Sequence, residues 1–263
     1  MGGESSKSKP FNKGNVIPFI KKGTGLGKNG DIETFLATCR KTRVLNIKSL
    51  KLKLLPEKTI EVGDLLKHLD ASQNFISSLP PFIGQFTNLK QLILNQNMIN
   101  SIPEEIGLCQ NLTKLELSDN KLNSLPDSLK NLGNLTTIIL SKNLFNTFPK
   151  VLCYMIKLEV VDISENNIVE IVDDIENINC LELNLSFNNL QKLNENFGKC
   201  KNLKVLRVNN NNLTIDSFPK SMLVESKISK IDFENNNFTE KNFQTLPGYE
   251  AYEQRYTANR MKL

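Results

Sequence analysis

Apolar and polar positions along most of this chain recur with a fixed spacing. Counted from a recurrent asparagine, apolar residues fall at minus 8, minus 5, minus 3, plus 2 and plus 5. Around Asn120 these are Leu112, Leu115, Leu117, Leu122 and Leu125. Leu115 and Leu117 are two residues apart, so their side chains share one face of a short strand and Glu116 points to the other. The pattern predicts one short strand in each repeat.

The asparagine recurs at a nearly constant interval. The eight positions are Asn74, Asn97, Asn120, Asn143, Asn166, Asn188, Asn211 and Asn236. The interval is about 23 residues, which falls within the period that indicates stacked leucine-rich repeats. We predict an α/β leucine-rich repeat solenoid: a curved right-handed coil with a parallel concave sheet and about nine repeats, counting the N-terminal cap.

Each asparagine stands where the chain leaves its strand. Its side-chain amide can donate to and accept from backbone groups that the bend leaves unpaired, so we expect a hydrogen-bonded ladder. The chain then returns on the convex side, where proline follows the plus 5 residue because it cannot donate to a strand ladder. These prolines are Pro80, Pro103, Pro126 and Pro149. Two extra residues between Asn211 and Pro219 predict a loop on the convex side.

The two ends of the repeat array depart from the pattern in ways typical of caps. Residues 32–43 predict a short helix over the first edge, and Tyr249, Tyr252 and Tyr256 have the spacing of a C-terminal helix. We divide the chain into a basic leader (1–31) and a solenoid (32–263). The solenoid comprises an N-terminal cap (32–62), the repeats (63–239) and a C-terminal cap (240–263).

The composition argues for an intracellular protein. No apolar run approaches the length that a membrane-spanning helix needs, and no signal-peptide pattern follows Met1. The clustered cysteine caps of secreted repeat proteins are also missing, which favours small buried thiols over a disulfide or metal framework. The five cysteines are Cys39, Cys109, Cys153, Cys180 and Cys200. We expect no metal and no cofactor.

The excess charge lies in the leader. The chain carries 33 basic and 28 acidic residues, and residues 1–30 contain six of the lysines and one glutamate, which leaves 27 charges of each sign elsewhere. A neutral solenoid argues against a nucleic-acid-binding face.

The leader also carries an acylation pattern, in which Gly2 follows Met1 and Ser6 completes the signal for N-myristoylation of Gly2. One acyl chain binds membranes only marginally, and Lys7, Lys9 and Lys13 would add attraction to an anionic membrane surface. The alternative is an inert leader.

Catalytic chemistry finds little support in this sequence. Residues 25–30 match the G-x-G-x-x-G pattern, but a proline interrupts the apolar run before it, where a strand is required. The single histidine, His68, falls on the exposed side of a predicted strand, where a contact role is more common than a catalytic one. We therefore predict that the protein is not an enzyme. An enzymatic function would require His68 to be catalytic.

The outward strand positions offer a binding surface. Exposed apolar residues concentrate in the first four repeats and are interleaved with acids, as expected of a protein-binding patch. Scattered surface hydrophobes are the alternative interpretation. The candidate partner-binding residues are His68, Asp70, Phe75, Ile93, Met98, Glu116, Ile139, Leu144 and Asp162.

The turn Leu79-Pro80-Pro81-Phe82-Ile83-Gly84 resembles those of the intracellular leucine-rich repeat class that includes Ras-suppressor-type scaffolds. The capping segment 41–56, the insertion 211–219 and the tail 246–258 carry a closer resemblance to one family of intracellular leucine-rich repeat proteins, which implies a small lipid-anchored protein. We expect a monomeric interaction scaffold on the cytoplasmic face of a membrane, with an unidentified protein partner on its concave face. The alternative is a free cytosolic regulatory subunit or adaptor of a phosphatase or small GTPase pathway.

Overall fold

The computed structural model describes residues 32–260. Within this range nine three-residue strands form one open parallel sheet, in which each strand pairs with the next along the chain. The strands are β1 Val44–Asn46, β2 His68–Asp70, β3 Gln91–Ile93, β4 Lys114–Glu116, β5 Thr137–Ile139, β6 Val160–Asp162, β7 Glu182–Asn184, β8 Val205–Arg207 and β9 Lys230–Asp232. The predicted leucine-rich repeat solenoid is confirmed. We call the side of this sheet that faces away from the core the concave face.

Each strand buries its middle residue and leaves its two neighbours more exposed. In β4, Leu115 is fully buried while Lys114 and Glu116 are half-buried. Adjacent strands pair without a shift in register, so Leu115 lies between Leu92 and Ile138. Equivalent apolar side chains therefore stack in columns and form one continuous core along the solenoid.

The eight repeat asparagines are buried or half-buried and bond the backbone at the bend. The Asn120 amide nitrogen donates to the carbonyl oxygens of Leu94 and Leu117, both at 3.0 Å, and its amide oxygen accepts from the N–H of Ile99 at 3.0 Å. The same bonds to the asparagine's own repeat and the preceding one recur at the other seven positions. The predicted ladder is confirmed. It joins asparagines to backbone groups and not to each other.

A second asparagine column, which the sequence analysis missed, precedes the first in four repeats, the fourth being that of Asn179, which donates to the carbonyl of Ile156. Asn88 donates to the carbonyl of Asp64 at 2.7 Å, Asn111 to that of Thr87 at 2.8 Å and Asn134 to that of Gln110 at 3.0 Å. These side chains also bond consecutive repeats, on the approach to each strand. Their own regular spacing along the chain was the signal that could have revealed them.

The return path consists of short 3-10 helices, opposite the strands. They span Glu57–Val62, Pro81–Gln85, Glu104–Leu108, Asp127–Asn131, Lys150–Tyr154, Asp173–Asn177, Glu195–Lys199 and Ile215–Ser217. Each of the four predicted prolines immediately precedes one of these turns. Where Asn194 replaces proline, its side chain accepts from the N–H of Asn196 at 2.9 Å and caps the turn instead.

The helices lie at the two ends of the described range. They are α1 Ile32–Thr42, α2 Lys220–Val224, α3 Glu240–Gln244 and α4 Tyr249–Arg260. The predicted helices at both ends are present as α1 and α4. None of these four is long and apolar enough to cross a bilayer.

The insertion between Asn211 and Pro219 is more regular than predicted. Instead of an irregular loop it forms the 3-10 turn Ile215–Ser217, in which the side chains of Thr214 and Ser217 make a capping box. The short helix α2 follows directly. The extra residues thus complete a hydrogen-bonded turn, a local pairing that a residue count does not reveal.

Candidate partner-binding face

The first and third residues of each strand point away from the core and form the concave face. In β2 these residues are His68 and Asp70, and both are half-buried. His68 pairs in register with Val44 on one side and Gln91 on the other. The histidine therefore lies on the open sheet, as predicted, beside an aliphatic residue and an amide.

Ile93 and Ile139 occupy the same outward position on β3 and β5. Both are half-buried by their sheet neighbours, and neither belongs to the hydrophobic core. In register, Ile93 lies between Asp70 and Glu116, and Ile139 lies between Glu116 and Asp162. The structure thus brings five of the predicted residues into one column in which acids and isoleucines alternate.

Two of the acids in this column also shape the bend after their strand. Oδ1 of Asp70 accepts from the N–H of Ser72 at 2.9 Å and from its hydroxyl at 2.6 Å. Asp162 makes the same two bonds to Ser164, at 3.0 and 2.7 Å. One oxygen of each carboxylate is therefore committed to the fold, a role that the sequence analysis did not assign.

Glu116 is held differently, by side chains across the face. Lys114 places its ammonium nitrogen 2.5 Å from one carboxylate oxygen, and the Asn95 amide donates to the other at 2.6 Å. Glu116 is the less exposed partner of the ion pair. Its carboxylate is accordingly neutralised and fixed in position between Ile93 and Ile139.

Phe75, Met98 and Leu144 lie outside the strands. They are 52%, 50% and 47% exposed, and each follows a ladder asparagine. Their backbone N–H groups donate to the carbonyls of the preceding repeat, at Leu52, Ile76 and Leu122. The candidate residues thus form two columns: one on the concave face, and a second beyond the bend, outside the strands.

The other end of the concave face carries an ion-pair network that the sequence analysis missed. Arg207 on β8 contacts Glu182 on β7 at 3.1 Å and Asp232 on β9 at 3.3 Å, and Lys230 contacts Asp232 at 3.2 Å. Two basic and two acidic side chains therefore compensate one another across three strands. The outward isoleucines of the concave face lie on the earlier strands.

The five cysteines are all buried and unpaired in the described range, as expected for small core residues. Burial raises the pKa of the Cys109 thiol to about 11 and, as the largest of several causes, that of Cys153 and Cys200 to about 12. These thiols therefore stay protonated at neutral pH. The predicted lipidation and membrane-binding residues, Gly2, Lys7, Lys9 and Lys13, lie outside the described residues.

Comparison with family models identifies the repeats directly. Residues 65–108 match a model described as leucine-rich repeats in two copies, and residues 87–145 match a second model, described as a leucine-rich repeat. The chain contains leucine-rich repeats. Repeats of this kind typically form protein–protein interaction scaffolds, and the matched residues include strands β2 to β5.

Solved leucine-rich repeat structures share this architecture. One is the ectodomain of the plant membrane receptor kinase GASSHO1/SCHENGEN3 from Arabidopsis thaliana in complex with CASPARIAN STRIP INTEGRITY FACTOR 2. It is 28% identical over 73% of this chain and 24% of that chain, with a TM-score of 0.60. The plant peptide hormone receptor RGFR1 in complex with RGF2 is 26% identical over 74% of this chain and 32% of that chain, with a TM-score of 0.61. The chain thus spans less than a third of each receptor structure.

A bacterial leucine-rich repeat protein is similar in fold alone. YopM from Yersinia enterocolitica WA-314 is 24% identical over 80% of this chain and 43% of that chain, with a TM-score of 0.57.

Proposed function

We propose that this leucine-rich repeat protein is a non-enzymatic interaction scaffold that binds a protein partner through strands β2 to β6 of its concave face. The observation that carries the proposal is the outward placement of Ile93 and Ile139 between three acidic residues. Two aliphatic side chains on an open sheet contribute nothing to the core and become buried when a partner covers them. The two receptors described above, each solved with a bound partner, support the proposal by analogy of fold.

The spacing of the two isoleucines indicates which side chains a partner must present to this face. Ile93 and Ile139 are two strand spacings apart, which is about 9 to 10 Å. While Lys114 and Asn95 already hold the carboxylate of the intervening Glu116, a complementary segment needs two apolar side chains at that separation. His68 and the second carboxylate oxygens of Asp70 and Asp162 would supply polar contacts around them. Phe75, Met98 and Leu144 would contact only a partner that extends past the bend.

The test compares the proteins that are captured by the wild type with those captured by the double variant Ile93→Asp, Ile139→Asp. Folding should be preserved, because neither side chain is part of the core, and far-UV circular dichroism should show an unchanged melt. The matched control is Leu108→Asp, Ile156→Asp, which changes two exposed apolar residues away from the strands. Proteins retained by wild type and control but lost by the Ile93, Ile139 variant are the expected partners. Identical sets from all three proteins would refute binding at this face, and a double variant that fails to fold would show that the two isoleucines are core residues.

We further propose that the scaffold is tethered to the cytoplasmic face of a membrane by myristoylation of Gly2 and by the leader lysines. The support is the Gly2 and Ser6 pattern, together with the six lysines of residues 1–30. Co-expression with an N-myristoyltransferase should raise the intact mass by one myristoyl group, and Gly2→Ala should prevent this.

The two anchor signals are expected to act together. Gly2→Ala alone, or Lys7→Gln, Lys9→Gln and Lys13→Gln together, should release the acylated protein from anionic liposomes. Raised salt should reproduce only the lysine effect, because ions screen charge and not acyl burial. Gly2→Ala protein that still floats with liposomes would favour the alternative, a free cytosolic adaptor with an inert leader.

We also propose a more specific kinship. The capping segment 41–56, the insertion 211–219 and the tail 246–258 are similar to the corresponding segments of leucine-rich-repeat-containing protein 57. In the tail, the Tyr252 hydroxyl accepts from the N–H of Ile231 at 3.1 Å, and Arg255 donates to the carbonyl of Ile228 at 3.0 Å. The tail residues that carry the resemblance therefore close the last repeat.

A further inference from the structure

The two edges of the sheet are closed to different degrees. At the β9 edge, the Tyr252 hydroxyl takes up the outward N–H of Ile231. At the β1 edge, Ile47 directs its N–H to the carbonyl of Asp70 on β2. Since alternate residues of a strand bond to the same neighbour, the backbone N–H and C=O groups of Val44 and Asn46 point away from β2, toward the open edge. The Thr42 hydroxyl accepts from the N–H of Val44 at 3.2 Å. The backbone N–H and C=O of Asn46 have no hydrogen-bond partner within residues 32–260.

An apolar groove of about 690 Å³ runs beside this open edge, between helix α1 and strand β1. Its floor and walls include Phe35, Val44 and Leu50, and Val44 is 41% exposed. On the α1 side, the hydroxyls of Thr38 and Thr42 donate to helix carbonyls four residues earlier, at 3.0 Å. Because those hydroxyls are bonded within the helix, the threonines add little hydrogen-bonding capacity to the groove.

We propose that the apolar run at residues 16–20 of this same chain, Val-Ile-Pro-Phe-Ile, occupies the groove and pairs with the outward edge of β1. It is the one continuous apolar run in residues 1–31, since Met1, Phe11 and Leu26 each stand alone among polar or small residues. An open strand edge next to apolar side chains is a site that proteins usually cover. The same run supplies both backbone pairing groups and apolar side chains.

The connection between the run and the groove is long enough. Eleven residues, 21–31, separate Ile20 from Ile32, where α1 begins. Extended, they reach at most about 36 to 40 Å. Helix α1 has 11 residues and is therefore about 16 Å long. The run can thus lie anywhere along the groove, and the short tether gives it an effective concentration on the order of millimolar.

The proline in this run determines how the segment pairs. Proline has no N–H, so it is accepted in an edge strand only where its nitrogen faces solvent. If Pro18 faces outward, the alternation of a strand turns the backbone groups of Ile17 and Phe19 toward β1. The proline then protects the new edge against addition of a further strand. This inference concerns the N-terminal edge and is independent of partner binding and of acylation.

The test is amide hydrogen exchange of Asn46 in the full-length protein. The variant Ile17→Asp, Phe19→Asp should remove the run from the groove, and the matched control Leu26→Asp changes a leader residue outside the run. We expect the Asn46 amide to exchange about tenfold more slowly in wild type and control than in the double variant, as for gain of one stable hydrogen bond. A synthetic peptide of residues 14–22, added to the double variant, should restore the protection.

Two results would overturn the proposal. Equal exchange of Asn46 in wild type and double variant would show that the run does not cover the edge. Protection that increases with protein concentration would show that a second copy covers it instead. Protection that is independent of concentration and lost only in the double variant is the expected result.

Discussion

Replacing Asn120 with alanine tests the asparagine ladder in the middle of the solenoid. Asn120 is 3% exposed, and its amide bonds three backbone groups of buried residues. It also donates to the carbonyl of Ser118 at 3.3 Å, which keeps the N–H of Gln96 as a donor. The substitution affects the hydrogen bonding of the three groups of buried residues to different degrees. The carbonyl of Leu94 also accepts from Asn97, and that of Leu117 also accepts from Asn143. Each of these carbonyls would therefore keep one donor.

The N–H of Ile99 has no such substitute, because its acceptor is the amide oxygen of Asn120. An orphaned buried donor costs about 1 to 3 kcal/mol, and loss of a second donor at each carbonyl adds roughly 0.5 kcal/mol per bond. The free energy of unfolding should thus fall by about 2 to 4 kcal/mol in Asn120→Ala. The N–H of Ile99 should account for most of that loss.

The measurement is thermal and urea unfolding followed by far-UV circular dichroism, since the chain has no tryptophan to report by fluorescence. For a domain of this size each kcal/mol lowers Tm by about 2 to 4 °C. The control is Asn167→Ala, at an exposed asparagine that follows the ladder residue of its repeat, and it should change stability by less than about 0.5 kcal/mol. An Asn120→Ala melt that coincides with the control would refute the ladder argument. Among the backbone amides, that of Ile99 should show the largest increase in exchange rate.

Further predictions concern packing, pH and the C-terminal edge. A Cβ at Gly107 would lie 2.6 Å from the carbonyl oxygen of Ser128, whereas one at Gly133 would meet no heavy atom within 4 Å. Gly107→Val should therefore lower the free energy of unfolding by about 1 to 3 kcal/mol. The control is Gly133→Val, and a urea midpoint of Gly107→Val no lower than that of the control would contradict the prediction. Burial raises the pKa of the Cys109 thiol from 9.0 to about 11. The unfolded chain therefore loses this proton at lower pH than the folded protein, so the contribution of Cys109 to stability is full below pH 9 and is lost as pH rises through 11. Urea midpoints that stay constant from pH 7 to 11 would contradict this prediction. Tyr252→Phe removes the acceptor of the Ile231 N–H and should lower stability by about 1 to 2 kcal/mol, with faster Ile231 amide exchange as the specific readout.

The repeat pattern by itself determined the architecture. Leucines two residues apart define a strand with one buried face, and an asparagine that recurs once in every repeat marks the bend that follows. Both properties depend on residues close together in sequence, so they could be predicted without coordinates. For the same reason the outward direction of Ile93 and Ile139 followed from strand alternation alone, and the helices at the two ends followed from local spacing.

Only the tertiary structure decided what the polar side chains of the concave face do. Arg207 contacts Glu182 and Asp232, which lie in the repeats on either side of its own, and Glu116 is fixed by Asn95 from the preceding repeat. Long charged side chains have several partners within reach, and the strand alternation that predicts their direction does not predict which partner they choose. Phe75, Met98 and Leu144 lie outside the sheet because the chain bends after each strand. Within residues 32–260, the Thr42 hydroxyl meets the backbone N–H of Val44 and no group meets that of Asn46. Contacts between repeats depend on how the chain stacks, which is set by the packing of all the repeats together and not by any one of them.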